Sequence, residues 1–219
     1  MAGEPFKATS PTLPAVRGFL HRPSSSSADG LVLTHGAGGT ADAPLLVDLA
    51  TAFAAAGMTA LRCDLPFRQA RRTGPPSRSA ATLDRAGLAH AVAAVKALGV
   101  ERVFVGGLSY GGRQASMLAT EQPGLVGGLL LLSYPLHPPG RPGELRTAHF
   151  PQLRVRVVFV HGTSDPFGSV DEIEAARRLI TAGTTLVLAA GGHDLGYRRR
   201  DRELIERIVG ACASWRAPA

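Results

Sequence analysis

The sequence predicts an α/β fold in which a mostly parallel sheet is flanked by helices. Short apolar runs alternate along the chain with longer stretches of helical periodicity. These runs are continuously apolar, as is expected of parallel strands that are buried on both faces. The chain has 219 residues, 45% of them hydrophobic, which is enough for one domain with a substantial core. We therefore expect a single domain over residues 15–219, preceded by a flexible lead-in over residues 1–14.

Seven segments are predicted as strands. The first is short and follows the lead-in, and the six later ones form the regular alternation with helices. In chain order they are residues 15–21, 31–34, 59–63, 103–106, 129–133, 155–160 and 184–188.

Five segments are predicted as helices, and three of them end near Gly57, Gly99 or Gly183, residues that suit the left-handed position after a helix. They are residues 43–56, 80–98, 110–121, 170–181 and 200–215.

Two stretches, residues 66–79 and 135–152, are rich in Pro, Gly and Arg and are predicted to be irregular. Each follows the carboxyl end of a strand, the edge at which open α/β sheets bind ligands. The link at residues 134–154 is too short to hold a cap domain, so we expect a minimal lid and an open site.

The charge of the chain does not predict a nucleic-acid site. There are 24 Lys and Arg against 17 Asp and Glu, which gives a net charge of +7. The positive residues are scattered, apart from a few short clusters such as Arg198, Arg199 and Arg200, and they are not interleaved with aromatic residues. This pattern is typical of a solvated basic surface, so no nucleic-acid partner is expected.

The two cysteines, Cys63 and Cys212, are too few for a disulfide framework and lack metal-ligand spacing, so we expect no metal site. No apolar run approaches the roughly 18 residues that a membrane span needs. The N-terminus lacks the apolar segment of a signal peptide. We expect a soluble, cytoplasmic protein without membrane contact.

The stretch at residues 103–112 is the strongest functional signal. A buried strand leads into GLSYG at 107–111, and a helix follows. A nucleophile elbow needs this order, because its serine occupies a strained turn for which only glycines leave room. We predict that Ser109 is the nucleophile.

A serine hydroxyl needs a base to remove its proton and an acid to orient that base. The fold imposes the order Ser, Asp, His along the chain. Asp165 follows the strand at 155–160 and His193 follows the strand at 184–188, which makes them the best candidates. Asp171 and Asp194 are poorer acids, and a capping role for Asp165 remains the alternative.

The predicted oxyanion hole has two backbone donors. One is the N–H of Tyr110, which follows the nucleophile, and the other lies on the glycine-rich loop THGAGG at 34–39. Ala37 is the first choice for the second donor and Gly38 the alternative. A phosphate-binding loop is disfavoured because the Lys-Ser/Thr pair of such loops is missing.

Several blocks, in order, resemble the α/β-hydrolase superfamily from Leu31 to Trp215, and within it the small dienelactone-hydrolase-like group that includes KANL/Tex-type predicted hydrolases. These blocks are LTHGAGG at 33–39, RCDLPFR at 62–68, GLSYGGRQAS at 107–116, SYPLHPPG at 133–140 and HGTSDPFG at 161–168. The resemblance implies an α/β-hydrolase fold and a Ser/Asp/His site without metal or organic cofactor, placed on Ser109, Asp165 and His193.

Two departures qualify the resemblance. Dienelactone hydrolases carry a cysteine where this chain has Ser109, so lactone hydrolysis is not implied. Some relatives serve as subunits of chromatin complexes, so a non-catalytic interaction module is the alternative function.

The function expected from these residues is hydrolysis of a small ester or thioester through an acyl-enzyme intermediate. We expect Gly38, Phe67, Arg68 and His137 to contact the substrate, since they lie on loops after strand ends. Arg68 and its neighbours Arg71, Arg72 and Arg78 could attract an anionic group, or they could be solvated loop charges.

Overall fold

A computed structural model describes residues 3–25, 28–197 and 201–216. Within these ranges the chain forms eight strands and six α-helices. The strands are β1 (Glu4–Ala8), β2 (Val16–His21), β3 (Asp29–Thr34), β4 (Thr59–Cys63), β5 (Arg102–Leu108), β6 (Gly128–Leu132), β7 (Arg156–Gly162) and β8 (Thr184–Ala189). The α-helices are α1 (Pro44–Ala55), α2 (Pro66–Ala70), α3 (Ala80–Lys96), α4 (Tyr110–Glu121), α5 (Val170–Arg177) and α6 (Arg202–Cys212). Short 3-10 helices lie at Phe150–Gln152 and Ala213–Arg216.

The eight strands form one sheet in the order β1-β2-β4-β3-β5-β6-β7-β8. The six strands β4, β3, β5, β6, β7 and β8 are parallel, and β2 and β1 extend the sheet beyond β4, with β2 antiparallel to both of its neighbours. The chain reverses its direction across the sheet at β3, which lies between β4 and β5. Open α/β sheets place their ligand sites at such a reversal, beyond the carboxyl ends of the strands.

Helices cover both faces of the sheet, as the continuously apolar strands require. Buried residues of α3, α4 and α5 belong to one core cluster, which includes Leu88, Leu118 and Ile173. Buried residues of α1 and α6 belong to a second cluster on the opposite face, with Phe53 and Ile208. The predicted α/β architecture is confirmed by this arrangement.

The expected flexible lead-in over residues 1–14 differs from the structure, because residues 4–8 form β1. This strand pairs antiparallel with β2, for example Phe6 with Gly18. Phe6 and Ala8 pack against the core, whereas Glu4, Pro5 and Lys7 are exposed. Five residues with only two inward positions give too weak an alternation to be recognised in the sequence. Pro5 is tolerated because β1 is an edge strand.

Helical structure also appears in the stretch at residues 66–79, where an irregular loop was predicted. Pro66 occupies the first turn of α2, where its missing N–H is harmless. Helix α5 ends at Arg177 instead of continuing to residue 181. In the next turn the N–H groups of Leu179 and Ile180 donate to carbonyls three residues earlier, those of Ala176 and Arg177, which is tighter than an α-helix. The expected cluster Arg198–Arg200 lies outside the described residues.

The link between β6 and β7 forms no cap domain. The Tyr134 hydroxyl donates to the carbonyl of Arg146 at 2.7 Å, and the N–H of Arg146 donates to the carbonyl of Leu136 at 2.7 Å. Tyr134 and Phe150 are fully buried. The link is thus folded against the core, and the carboxyl edge of the sheet stays open, in agreement with the predicted minimal lid. No helix in the described ranges is long and apolar enough to cross a membrane.

Candidate active site

Ser109 lies between β5 and α4 in a backbone conformation that is rare for a residue with a side chain, with φ 50° and ψ −111°. Its N–H donates to the carbonyl of Leu132 at 2.8 Å, which fixes the turn to β6. A Cβ at Gly107 would lie 2.5 Å from the carbonyl carbon of Gly111, and one at Gly111 would lie 2.5 Å from the carbonyl oxygen of His35. The two glycines are therefore required for this sharp strand-to-helix turn.

The structure brings Ser109, His193 and Asp165 together. His193 Nε2 lies 2.7 Å from Ser109 Oγ, and His193 Nδ1 lies 3.0 and 2.9 Å from the two carboxylate oxygens of Asp165. This arrangement is satisfied when Nδ1–H donates to the carboxylate and Nε2 accepts the serine hydroxyl proton. The Asp165 side chain is 0% exposed and that of His193 is 25% exposed.

Two loops hold the acid and the base against each other. The loop after β7 carries Asp165, and the loop after β8 carries His193. The Ser164 N–H donates to the carbonyl of Gly191 at 2.9 Å, so the two loops are joined through their backbones. Asp165 Oδ1 also accepts the N–H of Phe167 at 2.9 Å. The carboxylate is thereby held by a backbone N–H of its own turn as well as by the imidazole.

Phe167 packs on the imidazole of His193, with ring centroids 4.1 Å apart and an interplanar angle of 31°. This contact limits the orientations of the imidazole. Phe167 also lines the cleft beside it. Phe167 was not predicted from the sequence. Its position two residues after Asp165 was a usable signal, because the turn that carries the acid also carries its neighbours into the site.

None of the other six histidines hydrogen-bonds Ser109 in the described structure. His161 donates to the carbonyl of Gly168 at 2.7 Å, and His149 bonds Ser116 at 2.8 Å. Burial and the charge of Arg113 lower the pKa of His149 to about 4. His137 bonds the carbonyl of Pro138 at 2.8 Å. These bonds leave His193 as the base candidate that faces Ser109.

The glycine-rich loop after β3 approaches the nucleophile from the opposite side. A Cβ at Gly36 would lie 3.5 Å from Ser109 Cβ, so the loop passes directly over the serine. In the described structure the N–H groups of Ala37 and Gly38 donate to no carbonyl. Tyr110 opens α4, so its N–H has no partner one turn earlier in the helix. These donors are the ones that the sequence predicts for an oxyanion hole.

His35 anchors the start of this loop and was not assigned a role from the sequence. Its Nδ1–H donates to the carbonyl of Gly36 at 2.8 Å, and its Nε2 accepts the N–H of Leu65 at 3.1 Å. Burial lowers its pKa, which agrees with the neutral ring that these two bonds require. Its position between β3 and the glycines of the loop is the sequence feature that could have identified it.

Arg68 fixes the loop from the side of α2. Its guanidinium donates to the carbonyls of Ala37 at 2.7 Å, Gly39 at 2.9 Å and Gly74 at 3.1 Å. The residue is only 6% exposed. Its donors are thus directed at loop carbonyls, and its expected contact with substrate has no counterpart in this geometry.

Ser109 and His193 border a cleft of about 420 Å³, and Asp165 lies buried behind His193. Of the residues expected to contact substrate, Gly38 lies in the lining, whereas Phe67, Arg68 and His137 do not. Phe67 is buried against His35 and Tyr110, and His137 is buried beside Glu172. Phe67 and Arg68 lie on α2 and His137 lies on the link after β6, and all three side chains are buried. The lining comprises His35, Gly36, Ala37, Gly38, Gly39, Ala43, Leu108, Ser109, Phe167, His193 and Asp194.

No group of three His, Cys, Asp or Glu side chains in the described ranges is arranged to hold a metal ion. In the cleft the side chains of Ser109 and His193 bond each other, and the buried Asp165 bonds His193 from behind.

Comparisons with known proteins agree with the fold. A family model described as "Alpha/beta hydrolase domain" matches residues 27–216. Among solved structures, a serine hydrolase homologue from Coxiella burnetii is 19% identical, with coverage of 96% of this chain and 97% of that chain and a TM-score of 0.74. Est1E from Butyrivibrio proteoclasticus is 16% identical, with coverage of 98% and 99% and a TM-score of 0.76. A dienelactone hydrolase from Anabaena variabilis is 19% identical, with coverage of 97% of both chains and a TM-score of 0.70.

Proposed function

Since the chain belongs to the alpha/beta hydrolase domain family, we propose that it is a serine hydrolase that cleaves small esters or thioesters through an acyl-enzyme. One observation carries the proposal: His193 lies between Ser109 Oγ, at 2.7 Å, and the Asp165 carboxylate, at 2.9 Å. A base in contact with both a hydroxyl and an orienting acid is the arrangement that activates serine as a nucleophile.

In the first step, His193 Nε2 takes the proton of Ser109 as Oγ attacks the substrate carbonyl carbon. Asp165 holds the imidazole in the tautomer that carries its proton on Nδ1 and stabilises the imidazolium that forms. Phe167 supports the same orientation through its ring contact with His193.

The carbonyl oxygen becomes an oxyanion, and the N–H groups of Ala37 and Tyr110 stabilise it. Donors of this kind act through fixed dipoles, and loss of one such donor in comparable enzymes lowers kcat by about 10²- to 10³-fold. The bonds from Arg68 to the carbonyls of Ala37 and Gly39 support a fixed loop.

Collapse of the intermediate releases the alcohol or thiol, which takes the proton from His193. The acyl group then remains on Ser109 Oγ. Water enters the open cleft, loses a proton to His193 and attacks the acyl carbon, and the second intermediate releases the acid and restores Ser109. Esters and thioesters suit this site better than amides, because their leaving groups need less protonation.

A fluorophosphonate probe tests the proposal, since it reacts only with an activated serine. The wild-type protein should be labelled at Ser109, and Ser109→Ala should not. Ser116→Ala is the matched control, because Ser116 is a buried serine on α4 that bonds His149 away from the cleft. It should be labelled as fast as wild type.

Absence of labelling in folded wild-type protein, or labelling that persists in Ser109→Ala, would contradict the proposal. Either outcome would favour the alternative, a non-catalytic interaction module that retains the hydrolase fold.

A further inference from the structure

Asp84 is a buried carboxylate close to the proposed oxyanion hole, and it has no role in the proposed steps of ester cleavage. It lies in the second turn of α3 and is 0% exposed. Its Oδ2 accepts the hydroxyl of Tyr110 at 2.7 Å, and its Oδ1 accepts the backbone N–H of Phe67 at 3.0 Å. One carboxylate thus joins the first residue of α4 to the first turn of α2.

Burial of a carboxylate at this position lowers the stability of the fold. Among the described residues no arginine or lysine forms an ion pair with Asp84. The neighbouring Arg85 donates instead to Glu121 at 2.7 Å and to Gln114 at 3.0 Å. Burial raises the pKa of Asp84, against the effect of its two hydrogen bonds. Burial of a carboxyl group that forms no ion pair destabilises the native state, so packing alone does not account for its presence.

The two partners of Asp84 lead to the two sides of the cleft. Tyr110 supplies one proposed oxyanion donor through its own N–H. The Phe67 ring packs edge-on against the Tyr110 ring, with centroids 5.7 Å apart, and against the His35 ring, with centroids 5.6 Å apart. His35 directly precedes the loop that carries Ala37. Asp84 therefore contacts the segments that hold both proposed N–H donors: it bonds Tyr110 directly, and it reaches the loop with Ala37 through Phe67 and His35.

We propose that Asp84 is a positioning residue that holds the N–H groups of Ala37 and Tyr110 at a fixed separation across the cleft. The bond to the Tyr110 hydroxyl anchors the side chain whose backbone N–H faces the oxyanion. The bond to the Phe67 N–H fixes α2, and with it the ring between Tyr110 and His35. This inference rests on the proposed function, because it assumes that an oxyanion forms at Ser109.

Removal of this anchor should act on the transition state more than on substrate binding. The oxyanion exists only after attack, so a displaced donor lowers kcat and leaves KM nearly unchanged. A displacement of about 1 Å at a catalytic group can reduce the rate by about 10²-fold. We expect Asp84→Ala and Tyr110→Phe each to lower kcat by about 10- to 100-fold, with KM within about twofold of wild type.

The experiment compares these two variants, their combination and two controls. Steady-state rates with a short-chain aryl ester are measured together with the rate constant of fluorophosphonate labelling, while thermal melts and circular dichroism report folding. Asp84→Asn keeps an acceptor for the Phe67 N–H and a polar contact for the Tyr110 hydroxyl, so it should restore most of the lost kcat. Tyr134→Phe removes another buried tyrosine hydroxyl bond, the one to the Arg146 carbonyl, and should lower stability without lowering kcat.

Since Asp84→Ala already removes the acceptor of the Tyr110 hydroxyl as well as that of the Phe67 N–H, the double variant Asp84→Ala/Tyr110→Phe should be no slower than the slower single variant. Folded single variants with wild-type kcat and labelling rates would overturn the inference, as would losses that multiply in the double variant. If Asp84→Ala does not fold, Tyr110→Phe, which removes one oxygen atom, decides alone. A wild-type protein that is not labelled at Ser109 would instead refute the proposed function.

Discussion

At the scale of single residues, the proposed chemistry depends on how Asp165 is held. Its carboxylate is buried and accepts bonds from His193 and from the Phe167 N–H. The first bond sets the tautomer of the base, and the second sets the direction of the carboxylate. The order of serine, acid and base predicted these residues, whereas Phe167, His35 and Asp84 were missed. Their roles arise from contacts between distant segments, such as Asp84 with Tyr110, which no local pattern encodes.

Asp165→Asn should lower kcat by about 10³- to 10⁴-fold, because the amide can donate to Nδ1 and favour the wrong tautomer of His193. The fold should persist, since the amide oxygen can still accept the Phe167 N–H. Steady-state kinetics with an aryl ester measure the effect. Asp171→Asn changes an exposed carboxylate on α5 and serves as the control. A loss below tenfold in Asp165→Asn would contradict the assigned acid.

At the scale of elements, periodicity located the segments that are buried on both faces. The predicted helix at 110–121 has the bounds of α4, and the predicted strand at 59–63 has the bounds of β4. β1 and α2 were missed for physical reasons. Each has only five residues, and each is stabilised by contacts with other elements instead of by its own pattern. The expected role of Arg68 was likewise decided by which loop its side chain meets.

Arg68→Lys tests that role. Lysine keeps the charge but cannot reach several carbonyls at once as the guanidinium does. We expect kcat/KM to fall about tenfold, and by the same factor for neutral and anionic esters, because the effect passes through the loop at Ala37. Arg72→Lys, on the exposed part of the same connection, should retain wild-type rates. A loss confined to anionic esters would show that Arg68 contacts the substrate instead.

At the scale of the whole molecule, one sheet brings the loops after β3, β5, β7 and β8 to a single edge, and the short link after β6 leaves that edge open. The sequence predicted a mostly parallel sheet flanked by helices, because continuously apolar runs alternate with helical stretches, whereas the order of the strands came only from the structure. The stability of the molecule also depends on histidines that are buried in their neutral form. The pKa of His21 is lowered to about 4 by burial and by Arg62, whose Nε–H donates to His21 Nε2 at 3.1 Å.

Histidine in an unfolded chain titrates near pH 6.5. Between this pH and about 4, the unfolded chain therefore binds a proton at His21, whereas the native state leaves His21 neutral. The free energy of unfolding should therefore decrease as the pH falls from about 6.5 towards 4. One such proton contributes a slope of up to about 1.4 kcal/mol per pH unit. His21→Gln keeps an acceptor for Arg62 without a titrating group. The free energy of unfolding, measured with urea at several pH values between 7 and 5, should therefore depend less steeply on pH in this variant than in the wild type. Equal slopes in the two proteins would refute this account.

The central claim is that Ser109 carries an acyl group during turnover. Intact-mass analysis and peptide mapping of a reaction with an activated aryl ester, quenched in acid, test it most directly. The account predicts an added acyl mass on the peptide that contains Ser109, together with a burst of released phenol that approaches one equivalent per enzyme. Ser109→Ala should show neither signal. Ester turnover without an adduct or burst, or an adduct that persists in Ser109→Ala, would contradict it.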